Sequence, residues 1–270
     1  GLVPLAYILE DEELIKKTKP WIEWTLNNQR EDGYLGPIPF AEEPEPEPGL
    51  QRGMREDWWP KMVMLKILMQ YYSATEDDRV ITALTRYFKY QLKELPDKPL
   101  DFLTFWGNRR GGDNLQVVLW LYNITGDEFL LELAGIIGEQ TFPWTEVFLN
   151  EITRKKMPSV WASSGIKYPF DQSLINDIHV SKLGSLHCVN FAQGIKEPVV
   201  YYQYEQDKKH QKAARQGFED INFFHGQLQG MYGAAEPLHG QDPNQGTQCW
   251  TLSAPVNSVE TRYPVTGQMF

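Results

Sequence analysis

The stretch GMYGAAEPLHGQDPNQGTQCW, residues 230–250, gathers Glu236, His239, Asp242, Gln248 and Cys249 between glycines and prolines. Nothing in it favours a helix or a strand, so it reads as a loop carrying a carboxyl, an imidazole and a thiol. Four other segments have the same flavour. QREDGYLGP holds Asp32 and Tyr34, and EDWWP holds Asp57, Trp58 and Trp59. GGDN holds Asp113 and Asn114, and HCVN holds His187 and Asn190. Flat rings beside carboxylates, amides and imidazoles suit ligands with an apolar face and a hydroxyl edge, such as sugars. A plainer account stands beside this one. Asp57 and Asp113 have the type and place of helix N-caps, the tryptophans could be rim packing, and a lone histidine is more often structural than catalytic. His187, His239 and Cys249 could ligate a metal, but no CxxC, HxxxH or HExxH spacing is present. Neither a phosphate-cradling glycine loop nor a GxSxG elbow occurs.

These segments need a frame, and the composition bounds it. The 270 residues are 41% hydrophobic and 23% charged, enough for one large core or two smaller ones. A net charge of -10 disfavours nucleic acid and anionic membrane as partners. Nine Trp, thirteen Tyr and thirteen Phe either fill a large core or serve a ligand. Two cysteines, Cys188 and Cys249, imply no disulfide framework, and no apolar run is long enough to span a bilayer.

The frame itself is a repeat. YILEDE from Tyr7, YSATED from Tyr72, YNITGD from Tyr122, YQYEQD from Tyr202 and YPVTGQ from Tyr263 align on their tyrosines. The sixth position is then Glu12, Asp77, Asp127, Asp207 and Gln268, an acid or its amide suited to a turn that ends one helix and caps the next. Before the turn, KMVMLKILMQYY and LQVVLWLY are apolar on nearly every side, as buried helices must be. After it, Val80, Ile81, Leu84, Tyr87, Phe88 and Leu92 form one stripe, and Phe129, Leu130, Leu133, Ile136 and Ile137 form another. Residues 61–72 and 115–122 are therefore expected inside, and 79–92 and 128–137 outside. Two concentric helical layers follow, and the uneven repeat length favours an α/α toroid over an open solenoid. The irregular segments before the inner helices then gather at one end. EEPEPEP reads as a solvated acidic loop. The chain opens inside a helical pattern and closes in mid-pattern, so it reads as a fragment.

Five segments together, QREDGYLGP, REDWWPKMVMLK, RGGDNLQVVLWLYNITGD, HCVNFAQGIKEPVVYY and YGAAEPLHGQDPNQGTQ, resemble the bacterial β-L-arabinofuranosidase-like glycoside hydrolases. The likeness runs along almost the whole chain. It implies an all-α, (α/α)6 catalytic barrel over residues 1–270, incomplete at both ends, with the β-sandwich domains of relatives lying outside it. It also implies an oligosaccharide substrate ending in L-arabinofuranose or a related sugar, and a periplasmic or secreted protein. The implied mechanism is retaining: a cysteine thiolate attacks the anomeric carbon, a glutamate is acid and then base, and zinc held by glutamate and cysteines fixes the thiolate. By motif the acid/base is Glu236. Asp32, Tyr34, Asp57, Trp58, Trp59, Asp113, Asn114, His187, Asn190 and His239 would contact substrate.

The opening loop departs from that pattern. After QGT the family motif places Glu, any residue, Cys, whereas this chain has Gln248, Cys249 and Trp250. Cys249 could ligate zinc only through a one-residue slip, and the nucleophilic cysteine would lie beyond Phe270. Ala235 also stands where relatives often carry an acid. Zinc is thus expected in intact relatives and not in this chain. The competing reading is a degenerate relative that binds carbohydrate without turning it over.

Overall fold

The computed structural model describes residues 1–36, 57–102, 105–149 and 193–225, without the side chains of Phe105 and of residues 220–225. Regular structure among the described residues is entirely α-helical. The chain divides into two compact units, Gly1–Thr141 and Phe142–Phe270.

The first unit contains α1 (Leu2–Ile8), α2 (Glu12–Asn27), α3 (Trp58–Thr75), α4 (Arg79–Glu94), the short α5 (Phe105–Arg109), α6 (Gly111–Thr125) and α7 (Phe129–Gln140). Helices α1, α3 and α6 pack in succession, and so do α2, α4 and α7, while each hairpin joins one helix of each set. This is a two-layer arrangement, and burial shows which layer is inner. Along α6, Gly111 to Leu115, Val117 to Leu119 and Leu121 are all buried, which leaves no polar face. On α4 the buried set is Val80, Ala83, Leu84, Tyr87, Phe88 and Gln91, one stripe at helical spacing. Full burial of a residue such as Leu84 or Phe88 stabilises by about 1.5–3 kcal/mol.

The stripes differ from expectation in detail. Ala83 and Gln91 take the places expected of Ile81 and Leu92, and Ala134 replaces Ile136 and Phe129, all four of which are half-buried. Small Ala83 and Ala134 let the neighbouring layer approach, and the larger residues lie along the stripe edges. On inner helix α3, Val63 is 42% exposed although residues 61–72 were expected inside.

The turn phrase has a repeated geometry. Glu76, Gly126 and Gln206 each adopt the left-handed conformation, with φ of 54°, 71° and 61°. Each donates its N–H to the carbonyl of the phrase's tyrosine, Tyr72, Tyr122 and Tyr202, at 2.7, 2.8 and 2.9 Å. The following acid starts the next helix. The Asp77, Asp127 and Asp207 carbonyls accept from Val80, Leu130 and His210 at 2.9, 3.0 and 3.1 Å. The Asp77 and Asp207 carboxylates also accept the N–H groups of Arg79 and Lys209. In the first copy the register shifts by one residue. Glu10 is the left-handed residue, and Asp11 rather than Glu12 caps α2 by accepting the Leu14 N–H at 3.0 Å. The shorter aspartate side chain reaches the first-turn amide, and Glu12 falls inside the helix. The fifth copy, at Tyr263, lies outside the described residues.

The second unit contains α8 (Trp144–Leu149), α9 (Glu197–Glu205) and α10 (Lys208–His225), each packed against the other two. Trp144 stacks on Phe148 with ring centroids 5.6 Å apart, and a Cβ on Gly194 would lie 2.3 Å from the Trp144 ring. Only glycine lets the segment before α9 close on that indole.

Candidate functional site

Seven of the residues singled out from sequence are described, and six of them lie at or near the heads of α3 and α6, with Asp32 apart at the surface. Asp57 is the N-cap of α3, accepting the Trp59 N–H at 3.1 Å while its own carbonyl accepts from Lys61 Nζ at 2.9 Å. Trp58 is 2% exposed and its indole N–H donates to the Lys98 carbonyl at 2.8 Å. Tyr34 is equally buried, edge-on to Tyr90, with Lys61 Nζ 5.2 Å from its ring centroid. Asp32 sits at the surface, paired with Arg30 at 2.7 Å and accepting the Tyr34 N–H at 3.1 Å. Between them Gly33 has φ +94°, and a Cβ there would meet the Arg86 carbonyl oxygen at 2.3 Å, so this turn demands glycine.

Asp113 is not an N-cap. The N-cap position of α6 is Arg110, and Asp113 lies inside the first turn, where its carboxylate meets Lys66 Nζ at 2.8 Å. Both side chains are almost wholly buried. Asn114 forms a reciprocal amide pair with Gln91, both hydrogen bonds 3.0 Å and both residues fully buried. These contacts fix inner helix α3 to inner helix α6, and α6 to outer helix α4.

The half-buried part of this end is aromatic. Trp59 and Trp106 lie 6.4 Å apart at 47°, with the Arg110 guanidinium 4.3 Å from the first ring centroid and 5.1 Å from the second. Such spacing is favourable for cation–π attraction, and it holds both indoles in place. Behind Arg110, burial lowers the Arg109 pKa to about 10, with Asp101 opposing the shift. Two glycines of WGNRRGG are required by close approach. A Cβ on Gly107 would meet the Leu100 carbonyl oxygen at 2.2 Å, and one on Gly111 would meet Thr141 Oγ1 at 1.9 Å.

Trp106, Arg110, Lys61 and Lys66 escaped the sequence reading. The signal available was a lysine in an otherwise apolar helix: Lys61 and Lys66 interrupt WWPKMVMLKILM, where a merely solvated charge has no face to occupy. In the second unit the same signal marks Glu197, which opens EPVVYY and is 5% exposed. Burial, reinforced by Glu205, pushes its carboxyl up to about 8. His210 is buried between Thr145 and Glu205, its two ring nitrogens 2.6 and 2.5 Å from their oxygens. It is thereby committed to holding α8, α9 and α10 together.

Glu236, His239, Cys249, His187 and Asn190 lie outside the described residues, as do Gln248 and Trp250. Among the described residues no group of three His, Cys, Asp or Glu could hold a metal, and no helix is long and apolar enough to cross a membrane. The donor chemistry of Gln248, Cys249 and Trp250 is a neutral amide, one thiol and an indole that does not ligate.

The described residues are all-α, as an all-α glycoside hydrolase catalytic domain requires, and the family match supplies that class. Residues 2–253 match the β-L-arabinofuranosidase GH127 catalytic domain, and the chain belongs to that family. Among curated proteins and solved structures, no match is found.

Proposed function

We propose that the chain is the catalytic domain of a retaining glycosidase that removes a terminal L-arabinofuranose or related sugar from plant-type oligosaccharides. The observation that carries the reading is membership of the arabinofuranosidase family over residues 2–253, a span that includes Glu236 in GAAEPL. The paired indoles of Trp59 and Trp106 support it, because they offer apolar faces on which a sugar can stack. In this reading Trp59 contacts the sugar. Asp57, Trp58, Asp113 and Asn114 hold the helix heads that present it. Glu236 protonates the leaving oxygen and then deprotonates the incoming water, as a retaining mechanism requires of its acid/base.

A second reading is favoured by one observation, the Gln248 and Trp250 found in place of Glu and Cys. Without that ligand pair the domain would bind sugar and leave it intact. The two readings separate on p-nitrophenyl β-L-arabinofuranoside. Turnover that falls by about two to four orders of magnitude in Glu236→Gln, with sugar affinity preserved, supports the enzyme reading. Binding without turnover in the wild type supports the second. Normal turnover in Glu236→Gln removes the acid/base assignment, and stoichiometric zinc on elemental analysis refutes the reading of residues 248–250.

A further inference from the structure

The head of α6 carries a residue ill-suited to its place. Its N-cap position is Arg110, which makes no side-chain capping hydrogen bond, whereas Asp11 and Asp57 cap α2 and α3 with their carboxylates. A capping position favours a short oxygen-bearing side chain, and the positive end of a helix repels a cation. Arg110 is also only 7% exposed, so its guanidinium has given up most of its water. Burial of that kind is unfavourable unless the group gains contacts elsewhere. Breaches of local preference concentrate at functional or strained sites.

What Arg110 gains is the indole pair. Trp59 stands in the first turn of α3 and Trp106 on α5, so the local chain does not set one ring against the other. The Arg110 N–H donates to the Trp106 carbonyl at 3.1 Å, which puts these two residues one helical turn apart with their side chains on one face. The guanidinium then reaches from the Trp106 ring, 5.1 Å away, to the Trp59 ring, 4.3 Å away. Because the ring centroids are 6.4 Å apart, the cation lies at the corner of a triangle and not between the rings. Both rings are half-buried and keep surface that a ligand can reach. Their 47° tilt is neither a stack nor a T, so attraction between the rings alone does not select it.

We propose that Arg110 is a positioning residue for sugar binding: its guanidinium sets the angle between Trp59 and Trp106 and so fixes the platform on which a sugar ring stacks. The proposal rests on the reading of Trp59 as a sugar contact, and it adds the residue on which that contact depends. Nearly buried, Arg110 acts through the indoles. The missing cap is thereby explained, since a serine or aspartate at position 110 would suit the α6 head and reach neither ring.

The test compares the wild-type chain with Arg110→Ser and Arg110→Lys by L-arabinose affinity in ligand-observed NMR, a thermal melt and near-ultraviolet circular dichroism. The dichroism lost in Trp106→Phe defines the coupling of the two indoles. Serine is a favoured cap, so Arg110→Ser should melt near the wild-type temperature. It should nevertheless lose the coupling and bind about tenfold more weakly. Arg110→Lys keeps a cation within reach of the rings, so it should retain part of the coupling and bind within about threefold of wild type. A serine variant that binds as wild type does overturns the proposal and leaves the sugar-binding reading standing. Loss of affinity with the coupling intact overturns it too, since Arg110 would then touch the sugar itself. So does a serine variant that loses stability and affinity together, which marks Arg110 as structural, or a lysine variant no better than serine. A wild-type chain that binds neither L-arabinose nor other pentoses overturns the reading and the proposal together.

Discussion

Removing one partner of the Lys66–Asp113 pair should destabilise the first unit far more than removing both. The two charges meet at 2.8 Å with side-chain exposures of 6% and 5%, so water screens neither. Stripping a carboxylate and an ammonium of water costs several kcal/mol each, and their attraction offsets that only while both are present. Asp113→Leu leaves the Lys66 ammonium buried without this carboxylate, and Lys66→Met leaves the carboxylate without this ammonium. Either should cost about 3–5 kcal/mol. In a chain of this size that corresponds to roughly 6–20 °C in Tm. The double variant Lys66→Met/Asp113→Leu replaces the pair by apolar groups of similar reach and should lie much nearer wild type.

The assay is urea unfolding followed by tryptophan fluorescence and far-ultraviolet circular dichroism, with the four proteins forming a double-mutant cycle. Coincidence of the two probes must be checked, because two compact units need not unfold together. If the single variants each cost under about 1 kcal/mol, or if their effects simply add, the helix heads are wet and the pair is an ordinary surface contact. The interlocking of α3 and α6 described above would then be refuted.

Two further outcomes follow from local geometry. Glu76 and Gln206 occupy left-handed positions where the third copy of the turn has Gly126, so Glu76→Gly and Gln206→Gly should each stabilise by about 0.5–1 kcal/mol, and Gly126→Ala should cost about 1 kcal/mol in thermal melts. Glu197 has a folded pKa raised from the ordinary 4.5 to about 8, so its stabilising contribution is complete below pH 4.5 and is lost as pH rises through about 8. Relative to Glu197→Gln, the wild-type chain should lose on the order of a few kcal/mol across that window. A parallel pH dependence of the two proteins would show that Glu197 is solvated.

The helical layers were legible because layer position acts on every residue of a helix. The continuous apolar run of LQVVLWLY and the single stripe from Val80 to Phe88 reflect burial on all sides and on one side. The turn phrase was legible for a local reason: its tyrosine carbonyl, left-handed residue and helix-starting acid lie within six residues. Where the reading slipped, the decisive partner was distant or the competition was close. Asp113 was weighed as an N-cap, since nothing in GGDN announces a lysine 47 residues earlier in sequence. Asp11 displaced Glu12 because adjacent acids compete for one capping position, and tyrosine alignment does not measure side-chain reach. Glu236 and residues 248–250 were read from motif, and they lie outside the described residues.

The interruptions in the apolar runs carry more information than the runs themselves. Lys66, Gln116 and Lys196 each stand six residues before the turn tyrosine of their copy, Tyr72, Tyr122 and Tyr202. Lys66 and Lys196 are buried and Gln116 is half-buried, so three copies of the repeat carry a long polar side chain at the same distance from the turn tyrosine. A core selected for stability alone would place leucine or methionine there, because a buried charge must recover its lost hydration from a partner. Lys66 has such a partner in Asp113, which heads the next inner helix. Selectivity of pairing follows: a lysine at this register packs only against a neighbour that presents an acceptor. Asp113, the partner of Lys66, lies in the first turn of the helix whose N-cap is Arg110, and a rigid head keeps Arg110 over Trp59 before any ligand arrives. Polar residues hidden in apolar helices are therefore the sequence feature that best connects this scaffold to the function proposed for it.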